Sequence, residues 1–286
     1  MLPRCEDDAA QARDVGRRLV SSVLALLLGS SLGCSHSDPV DFAAVAAPWL
    51  VEDFSTYTST ANLLSDPRGI YSTGEDVNTG QIVLDKTIGD TINGWHLTQS
   101  MRYDQQDQTG NVATSLTGRC GSYEITRNIN LPSAVTEIWV ESYEKYSVGW
   151  SVNVPSSWGC TSEPAYKHFF GRINGGTGRF STGTLPGEWV SEYPPGGQEL
   201  NTGVYSQTFD PADGRWHVFR YHWKVGASGV LQVWIDGVLR INQQGVNVQA
   251  SSIYGISMGR NMNAGPSQNQ SIWWGLIRVF NQNPGW

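Results

Sequence analysis

The sequence predicts an all-β protein built as one antiparallel sandwich or jelly roll, and three observations support that prediction. Over residues 49–286, short runs of β-branched and aromatic residues alternate with clusters of Gly, Pro, Asn and Asp. The same region has no long amphipathic helical pattern. The 286 residues include 32 Gly and 12 Trp but only 16% charged residues. This composition excludes a disordered chain and favours an extracellular β protein with an aromatic surface.

The strand pattern divides the body into roughly a dozen short segments, a number that suits a single sandwich. The predicted strands are 51–54, 81–84, 95–103, 123–130, 137–147, 165–173, 203–209, 216–225, 230–235, 238–242, 253–260 and 272–281. Only residues 61–64 are predicted as a short helical turn. No repeat of fixed period occurs, which disfavours propellers and solenoids.

The overall charge limits the classes of partner. Lys and Arg together number 19 against 26 Asp and Glu, so the formal net charge is −7. Nucleic-acid binding requires clustered basic residues, and the sequence has no such block. Nucleic acid is therefore not expected as a partner.

The N-terminal segment has the features of a secretory signal. Arg17 and Arg18 precede the apolar run 19–28, and small residues follow it. This run is far shorter than the roughly 20 residues that a membrane-spanning helix needs. We therefore expect residues 1–33 to direct export, residues 34–48 to form a tether and residues 49–286 to form the folded domain.

Cys34 suggests a lipid anchor. The segment 31–34 resembles the bacterial lipobox, with the usual leucine one position late and Ser31 in its place. The resemblance implies that Cys34 is lipidated and that the protein is an outer-membrane or cell-surface lipoprotein, in contact with a membrane only through this anchor. The alternative is a plain secretory signal, which would make the protein secreted or periplasmic.

The cysteine count predicts one disulfide bond. Cys5 lies in the predicted signal and Cys34 is the candidate for lipidation, which leaves Cys120 and Cys160. Two cysteines in an oxidising compartment are expected to pair. The sequence has no Cys-x-x-Cys motif and no His-rich tract, so it predicts neither a zinc site nor a redox site.

Two neighbouring segments carry a family resemblance. Asp236-Gly237 separates two alternating apolar runs, which is a strong hairpin signal. Upstream, Gly214-x-Trp216-His217 opens a strand that ends near Trp223. This order resembles the concanavalin A-like lectin/glucanase superfamily, in particular the jelly-roll polysaccharide lyases of the heparin-lyase and glucuronan-lyase type, and also laminin-G-like modules. The resemblance implies a concanavalin A-like β-sandwich of two antiparallel sheets and a polysaccharide partner.

Strand alternation predicts which side chains face a substrate groove. In the strand 216–225, Arg220 and His222 lie opposite Phe219, Tyr221 and Trp223, which form the natural core set. The groove face is predicted to carry Trp139, Glu141, Tyr143, Lys145, His168, Arg172, Arg220, His222, Gln232 and Trp234. Aromatic planes beside hydrogen-bonding groups suit sugar rings. The alternatives are an ordinary solvent-exposed polar face and, for each Trp, packing in the core.

Three kinds of chemistry are compatible with this face. In β-elimination, Arg220 would neutralise a uronate carboxylate, His222 or His168 would act as the base, and Tyr143 or Tyr205 would donate a proton. This hypothesis requires Arg220, His222, His168 and Tyr143 to converge in one concave groove, with Tyr205 also binding substrate. Glycoside hydrolysis needs two facing carboxylates, and Glu141 has no evident partner. A non-catalytic carbohydrate-binding or adhesion module needs only the groove, so enzyme activity stays open.

The sequence also gives expectations for the charge of the groove and for a bound metal ion. Because the whole chain is acidic, lyase activity depends on a locally basic groove formed by Lys145, Arg172 and Arg220. The family resemblance implies a structural calcium ion, with Glu52, Asp53 and Asp85 as candidate ligands. Scattered surface acids are the alternative, since no EF-hand spacing is present.

Overall fold

The structure is a computed structural model that describes residues 46–72, 79–110, 120, 123–160, 166–174, 180–185, 188–193, 198–199, 212–259 and 261–286, with the backbone alone for 79, 180–185, 188–193, 198–199 and 261. These residues belong to one compact unit, Ala43–Trp286. The predicted signal, Cys34, most of the predicted tether and Tyr205 lie outside the described residues. Export and lipid anchoring therefore stay predictions.

The described part of the chain consists mainly of β-strands. In chain order the elements are β1 (Leu50–Glu52), α1 (Thr60–Ser65), β2 (Ile82–Asp85), β3 (Thr91–Ile92), β4 (Trp95–His96), β5 (Ser100–Gln105), β6 (Tyr123–Glu124), β7 (Arg127–Val135), β8 (Glu137–Tyr146), β9 (Tyr166–Asn174), β10 (Phe180–Leu185), β11 (Glu188–Tyr193), β12 (Gln198–Glu199), β13 (Trp216–Lys224), β14 (Gly226–Ile235), β15 (Val238–Val248), β16 (Ser252–Met258), β17 (Asn261–Met262) and β18 (Gln270–Phe280). The short helix α1 confirms the helical turn predicted at residues 61–64.

The strands form two antiparallel sheets, as predicted. The first sheet has the order β15-β14-β13-β8-β18-β5-β2, with β1 paired to β18. The second has the order β12-β11-β10-β9-β16-β7, with β17 paired to β6 and β9. The strands β3 and β4 form a separate two-stranded hairpin. The prediction of an all-β sandwich is confirmed.

Aromatic side chains from both sheets form the core. Phe219, Tyr221 and Trp223 of β13 are fully buried, as strand alternation predicts. The ring of Tyr221 stacks on Phe169 of the second sheet with centroids 4.7 Å apart. The opposite side of the first sheet, which we call its outer face, therefore carries the other side chains of β13.

The hairpin between β14 and β15 confirms the Asp-Gly signal. Asp236 and Gly237 have φ angles of 51° and 78°, the left-handed values that both central residues of a type I′ turn need. Ile235 pairs with Val238 directly across the turn. The turn brings β15 back along β14, with register shifts near Gly229 and between Val233 and Trp234.

A register shift in β9 overturns part of the face prediction. Thr182 of β10 pairs with Phe169 and Gly183 pairs with Lys167, so His168 has no partner in β10. A residue added in this way changes which face the following side chains take. As a result His168 and Phe169 both reach Tyr221 in the core, which strict alternation does not allow.

Cys120 and Cys160 form a disulfide bond, which confirms the predicted pairing. No helix among the described residues is long and apolar enough to cross a membrane.

Candidate functional site

The outer face of the first sheet is organised in rows that run across the strands. In one row, Trp216, Lys145, Trp273 and Arg102 are successive register partners on β13, β8, β18 and β5. A second row contains Trp234, Arg220, Glu141 and Arg278. A third contains Asn242, Gln232, His222 and Trp139. The register thus brings eight of the ten predicted groove residues onto one face; their roles stay predictions.

The tryptophan–lysine row consists of Trp216, Lys145 and Trp273. The Lys145 ammonium lies 5.6 Å from the centroid of the Trp216 ring and 5.1 Å from that of Trp273. Lys145 forms no ion pair with any of the described residues. Its contacts there are with these two indoles. The row therefore presents a cation held between aromatic faces.

The ion-pair row consists of Arg220, Glu141 and Arg278. Glu141 is fully buried, and its carboxylate accepts hydrogen bonds from Arg220 Nε at 2.9 Å and from Arg278 Nε at 3.0 Å. The Arg220 guanidinium lies 4.9 Å from the Trp286 ring centroid, and that of Arg278 lies 5.1 Å from Trp95. One carboxylate therefore fixes two guanidinium groups, and the three groups together keep one positive charge.

The hairpin β3–β4 and the residues before and after it cover the centre of this face. Leu97 and Ile92 pack with Tyr143, Val218 and Leu276 in a hydrophobic cluster that is separate from the main core. Tyr143 is only 1% exposed, and burial raises its pKa. The groove is thus not open along its whole length, and Tyr143 lies beneath the covering segment.

A cleft remains open along β13, between this hairpin and the β14–β15 turn. Its volume is about 400 Å³, and it is lined by Ile92, Asn93, Trp216, Val218, Arg220, Asp236 and Gly237. We call it the β13 cleft. The Trp216 ring is fixed at one end, where its indole Nε1 donates to Asp90 Oδ2 at 2.6 Å. Arg220 lies four residues further along the strand, so both ends of the cleft belong to β13.

A buried histidine holds the wall of the β13 cleft in place. Nδ1 of His217 lies 2.7 Å from Asp236 Oδ2, and Nε2 lies 3.1 Å from Asp213 Oδ1. Burial lowers the pKa of His217, but the two carboxylates raise it by more, so the net shift is upward. Asp236 also accepts a hydrogen bond from the Val218 amide at 2.9 Å. His217 therefore has a structural role in this part of the cleft.

Gly275 explains how the Trp216 ring can lie so close to β18. The register between β18 and β8 shifts between Trp274 and Leu276. A Cβ atom at Gly275 would lie 3.0 Å from the Trp216 ring and 2.7 Å from Leu97. The glycine therefore makes room for both the covering segment and the indole at the end of the cleft.

His222 is partly exposed, and its ring and both ring nitrogens contact neighbouring side chains. Its ring stacks on Trp139 with centroids 4.5 Å apart and planes 8° from parallel. Nδ1 lies 2.9 Å from Gln232 Oε1, and Nε2 lies 2.8 Å from Glu137 Oε1. Both ring nitrogens are thus engaged by oxygen atoms of neighbouring side chains. This geometry does not favour His222 as a general base.

Two residues of the predicted groove lie elsewhere, and these placements were wrong. His168 is fully buried in the core, where Nε2 lies 3.2 Å from the Tyr221 hydroxyl. Burial lowers its pKa to about 3. Arg172 lies on the second sheet, with its guanidinium 4.6 Å from the Tyr254 ring centroid. Arg220, His222, His168 and Tyr143 therefore do not converge in one groove.

The candidate calcium ligands are bonded to other parts of the chain. Glu52 accepts hydrogen bonds from the Phe54 amide and from the hydroxyls of Tyr57 and Tyr71. Asp85 accepts from Thr87, Arg102 and Trp273, and the pKa of Asp85 is about 2: these bonds lower it by more than burial raises it. Asp53 accepts from Ser55. No group of three or more His, Cys, Asp or Glu within the described ranges is placed to hold a metal ion.

Sequence reasoning missed two polar residues that line the β13 cleft. Asn93 belongs to an Asn-Gly pair between Ile92 and Trp95, which is itself a hairpin signal. Asp236 was assigned only to its turn, although an antiparallel partner strand must bring that turn beside the first residues of β13. The sequence contains the signals for both turns, Asn93-Gly94 and Asp236-Gly237. These signals do not predict that the hairpin β3–β4 packs across the first sheet.

Solved structures share this architecture. Alginate lyase Aly36B matches with a TM-score of 0.56 and 14% identity, over 83% of this chain and 99% of that chain. The fold is that of the jelly-roll polysaccharide lyases. An endo-β-1,4-glucuronan lyase from the fungus Trichoderma reesei matches with a TM-score of 0.52 and 13% identity, over 84% and 99% of the two chains. The cellulose induced protein Cip1 matches with a TM-score of 0.53 and 14% identity, over 82% and 97%.

The sequence comparisons give no assignment. No protein-family model matches the chain, and no curated protein matches it by sequence. At 13–14% identity, the structural matches establish the jelly-roll fold and leave the function to be argued from the site.

Proposed function

We propose that the protein binds polysaccharide through the β13 cleft. The observation that supports this most directly is the lining of the cleft, which combines the Trp216 indole with the Arg220 guanidinium, the Asp236 carboxylate and the Asn93 amide. A sugar ring has apolar C–H faces that stack on an indole and hydroxyl edges that bind such polar groups. The volume of about 400 Å³ falls within the range of small-molecule sites.

The cleft is also pre-organised for a ligand. Asp90 holds the Trp216 indole, Glu141 holds the Arg220 guanidinium, and His217 holds the Asp236 carboxylate. Binding therefore requires little further ordering of these side chains, which lowers its entropic cost. The structural neighbours that act on polysaccharides are consistent with this proposal, although their likeness concerns the fold alone.

Cleavage of a uronate polymer by β-elimination is a second candidate. One observation favours it: Lys145 lies beside Trp216 without a carboxylate partner among the described residues, so it could neutralise a substrate carboxylate. The position of His222 weighs against it, because both nitrogens are engaged. Binding is therefore the better supported function.

Affinity electrophoresis through gels that contain different polysaccharides tests the proposal. We expect one or more polymers to retard the wild-type protein, and Trp216→Ala to weaken that retention by about tenfold, because the stacking surface is lost. Trp95→Ala is the matched control, since Trp95 is exposed and does not line the cleft. Equal retention of Trp216→Ala and wild type would contradict binding at the β13 cleft.

The same panel separates binding from cleavage. Soluble polyuronates are incubated with the protein, and the absorbance of unsaturated uronate products is followed. A rise that is lost in Lys145→Ala, while retention in the gel persists, would add lyase activity to binding. A flat absorbance with retained binding would restrict the function to recognition.

A further inference from the structure

Three amide side chains on the outer face of β14 and β15 are fixed in one hydrogen-bonded chain. Gln232 Nε2 donates to Asn242 Oδ1 at 2.8 Å, and Gln244 Nε2 donates to the same oxygen at 3.0 Å. Gln232 Oε1 in turn lies 2.9 Å from His222 Nδ1, which is held from its other side by Glu137. We call Asn242, Gln232 and Gln244 the amide row.

This chain of bonds decides which groups of the amide row remain available to a ligand. The Asn242 oxygen already accepts two hydrogen bonds, so this side chain can only donate, through its two N–H groups. The Gln244 oxygen is left as an acceptor, since that amide's described bond uses its nitrogen. Both side chains are exposed. Donors and an acceptor are thus presented side by side in fixed orientations.

Indole rings flank the amide row. Trp234 is two residues from Gln232 on the same face of β14, a spacing of about 7 Å along a strand. On the other side, Trp139 is stacked against His222. The row itself carries no charge, and Glu137, which contacts His222 at 2.8 Å, forms an ion pair with Lys224 at 3.4 Å.

We propose that the amide row is a subsite for a neutral sugar unit. Uncharged amides match hydroxyl groups, each of which donates and accepts, and they offer no cation to a carboxylate. Trp234 is the register partner of Arg220, so the row continues directly from the β13 cleft. This inference rests on the proposed function, and it implies that the bound polymer contains neutral sugars rather than uronate alone.

The test compares Asn242→Ala with wild type on three polymers: a neutral β-glucan, alginate as a pure polyuronate, and xanthan, which carries both kinds of unit. We expect Asn242→Ala to weaken binding to β-glucan and xanthan by about five- to tenfold, because two donors are lost. Binding to alginate should not change. The control is Asn247→Ala, an exposed amide of the same strand that lies outside the row, and it should behave as wild type. Circular dichroism verifies that both variants are folded.

The possible failures are distinguishable. If the wild type binds alginate in a Trp216-dependent manner but Asn242→Ala leaves binding to the neutral polymers unchanged, the neutral subsite is overturned and the β13 cleft stands. An equal loss of affinity for all three polymers also overturns it, since the row would then not discriminate neutral units. If no polymer retards the wild type, the proposed function and the subsite fall together.

Discussion

Replacing Glu141 by alanine is expected to lower the free energy of unfolding by about 3–5 kcal/mol. Glu141 is fully buried and is the carboxylate that both Arg220 and Arg278 contact. Its removal would leave two guanidinium groups facing each other across β8 with no anion between them. Breaking a buried pair on one side costs more than the pair contributes, because the remaining charge stays poorly solvated.

Urea unfolding curves of wild type and Glu141→Ala measure this difference. Glu137→Ala is the control on the same strand, since Glu137 is 30% exposed and pairs with Lys224, which is 41% exposed; we expect a change within about 1 kcal/mol. Similar curves for the two alanine variants would contradict the role assigned to Glu141. A large loss of stability in Glu141→Ala would show that this carboxylate is needed to hold Arg220. It would not then be a group kept free to bind a substrate.

The second large effect concerns the buried pair Glu144 and His168, which lie between the sheets. The Glu144 carboxylate accepts from the hydroxyls of Tyr221 at 3.1 Å and Tyr146 at 3.0 Å, and His168 Nε2 lies 3.7 Å away. Burial raises the pKa of Glu144 to about 7 and lowers that of His168 to about 3. Both groups are therefore driven toward their neutral forms by the same desolvation.

The two shifts have opposite effects on stability. The raised pKa of Glu144 contributes stability that is complete below the unfolded value of 4.5 and is lost as the pH rises through about 7. The lowered pKa of His168 contributes stability that is complete above 6.5 and is lost as the pH falls toward 3. Between pH 4.5 and 6.5 the two slopes oppose each other.

Glu144→Gln separates these contributions, because it keeps the shape and the acceptor oxygen but does not titrate. We expect the stability of wild type relative to Glu144→Gln to fall by about 3 kcal/mol between pH 4.5 and 7. His168→Gln should show the reverse, with the wild type losing relative stability as the pH falls below 6.5. Urea titrations at a series of pH values test both. A pH-independent difference for Glu144→Gln would mean that Glu144 does not titrate in this range in the folded protein.

Strand alternation explains why much of the first sheet was predictable from the sequence. In β13, apolar Phe219, Tyr221 and Trp223 alternate with polar Arg220 and His222, and the period of two fixes the face of each. The Asp-Gly turn fixes the first pair of β14 and β15, Ile235 opposite Val238, and the register shifts beyond Trp234. Where strand alternation and turn geometry determine the structure, the sequence was enough to predict it.

The failures come from features that alternation does not encode. The register shift at His168 depends on how β9 pairs with β10, and it brings both His168 and Phe169 to Tyr221 in the core. The hairpin β3–β4 covers Tyr143 through tertiary packing of Ile92 and Leu97. The strands β10–β12 were not predicted, because Gly and Pro interrupt the pattern between residues 180 and 199.

The central claim is that ligand binding occurs at Trp216, and indole NMR of the protein labelled with ¹⁵N-tryptophan tests it directly. The Trp216 signal is assigned with Trp216→Phe, and the protein is titrated with an oligosaccharide of the polymer that retards it in gels. We predict a saturable shift of the Trp216 signal, while the fully buried Trp223 and Trp274 keep theirs. Saturation of the protein with no change at Trp216 would contradict the β13 cleft as the binding site.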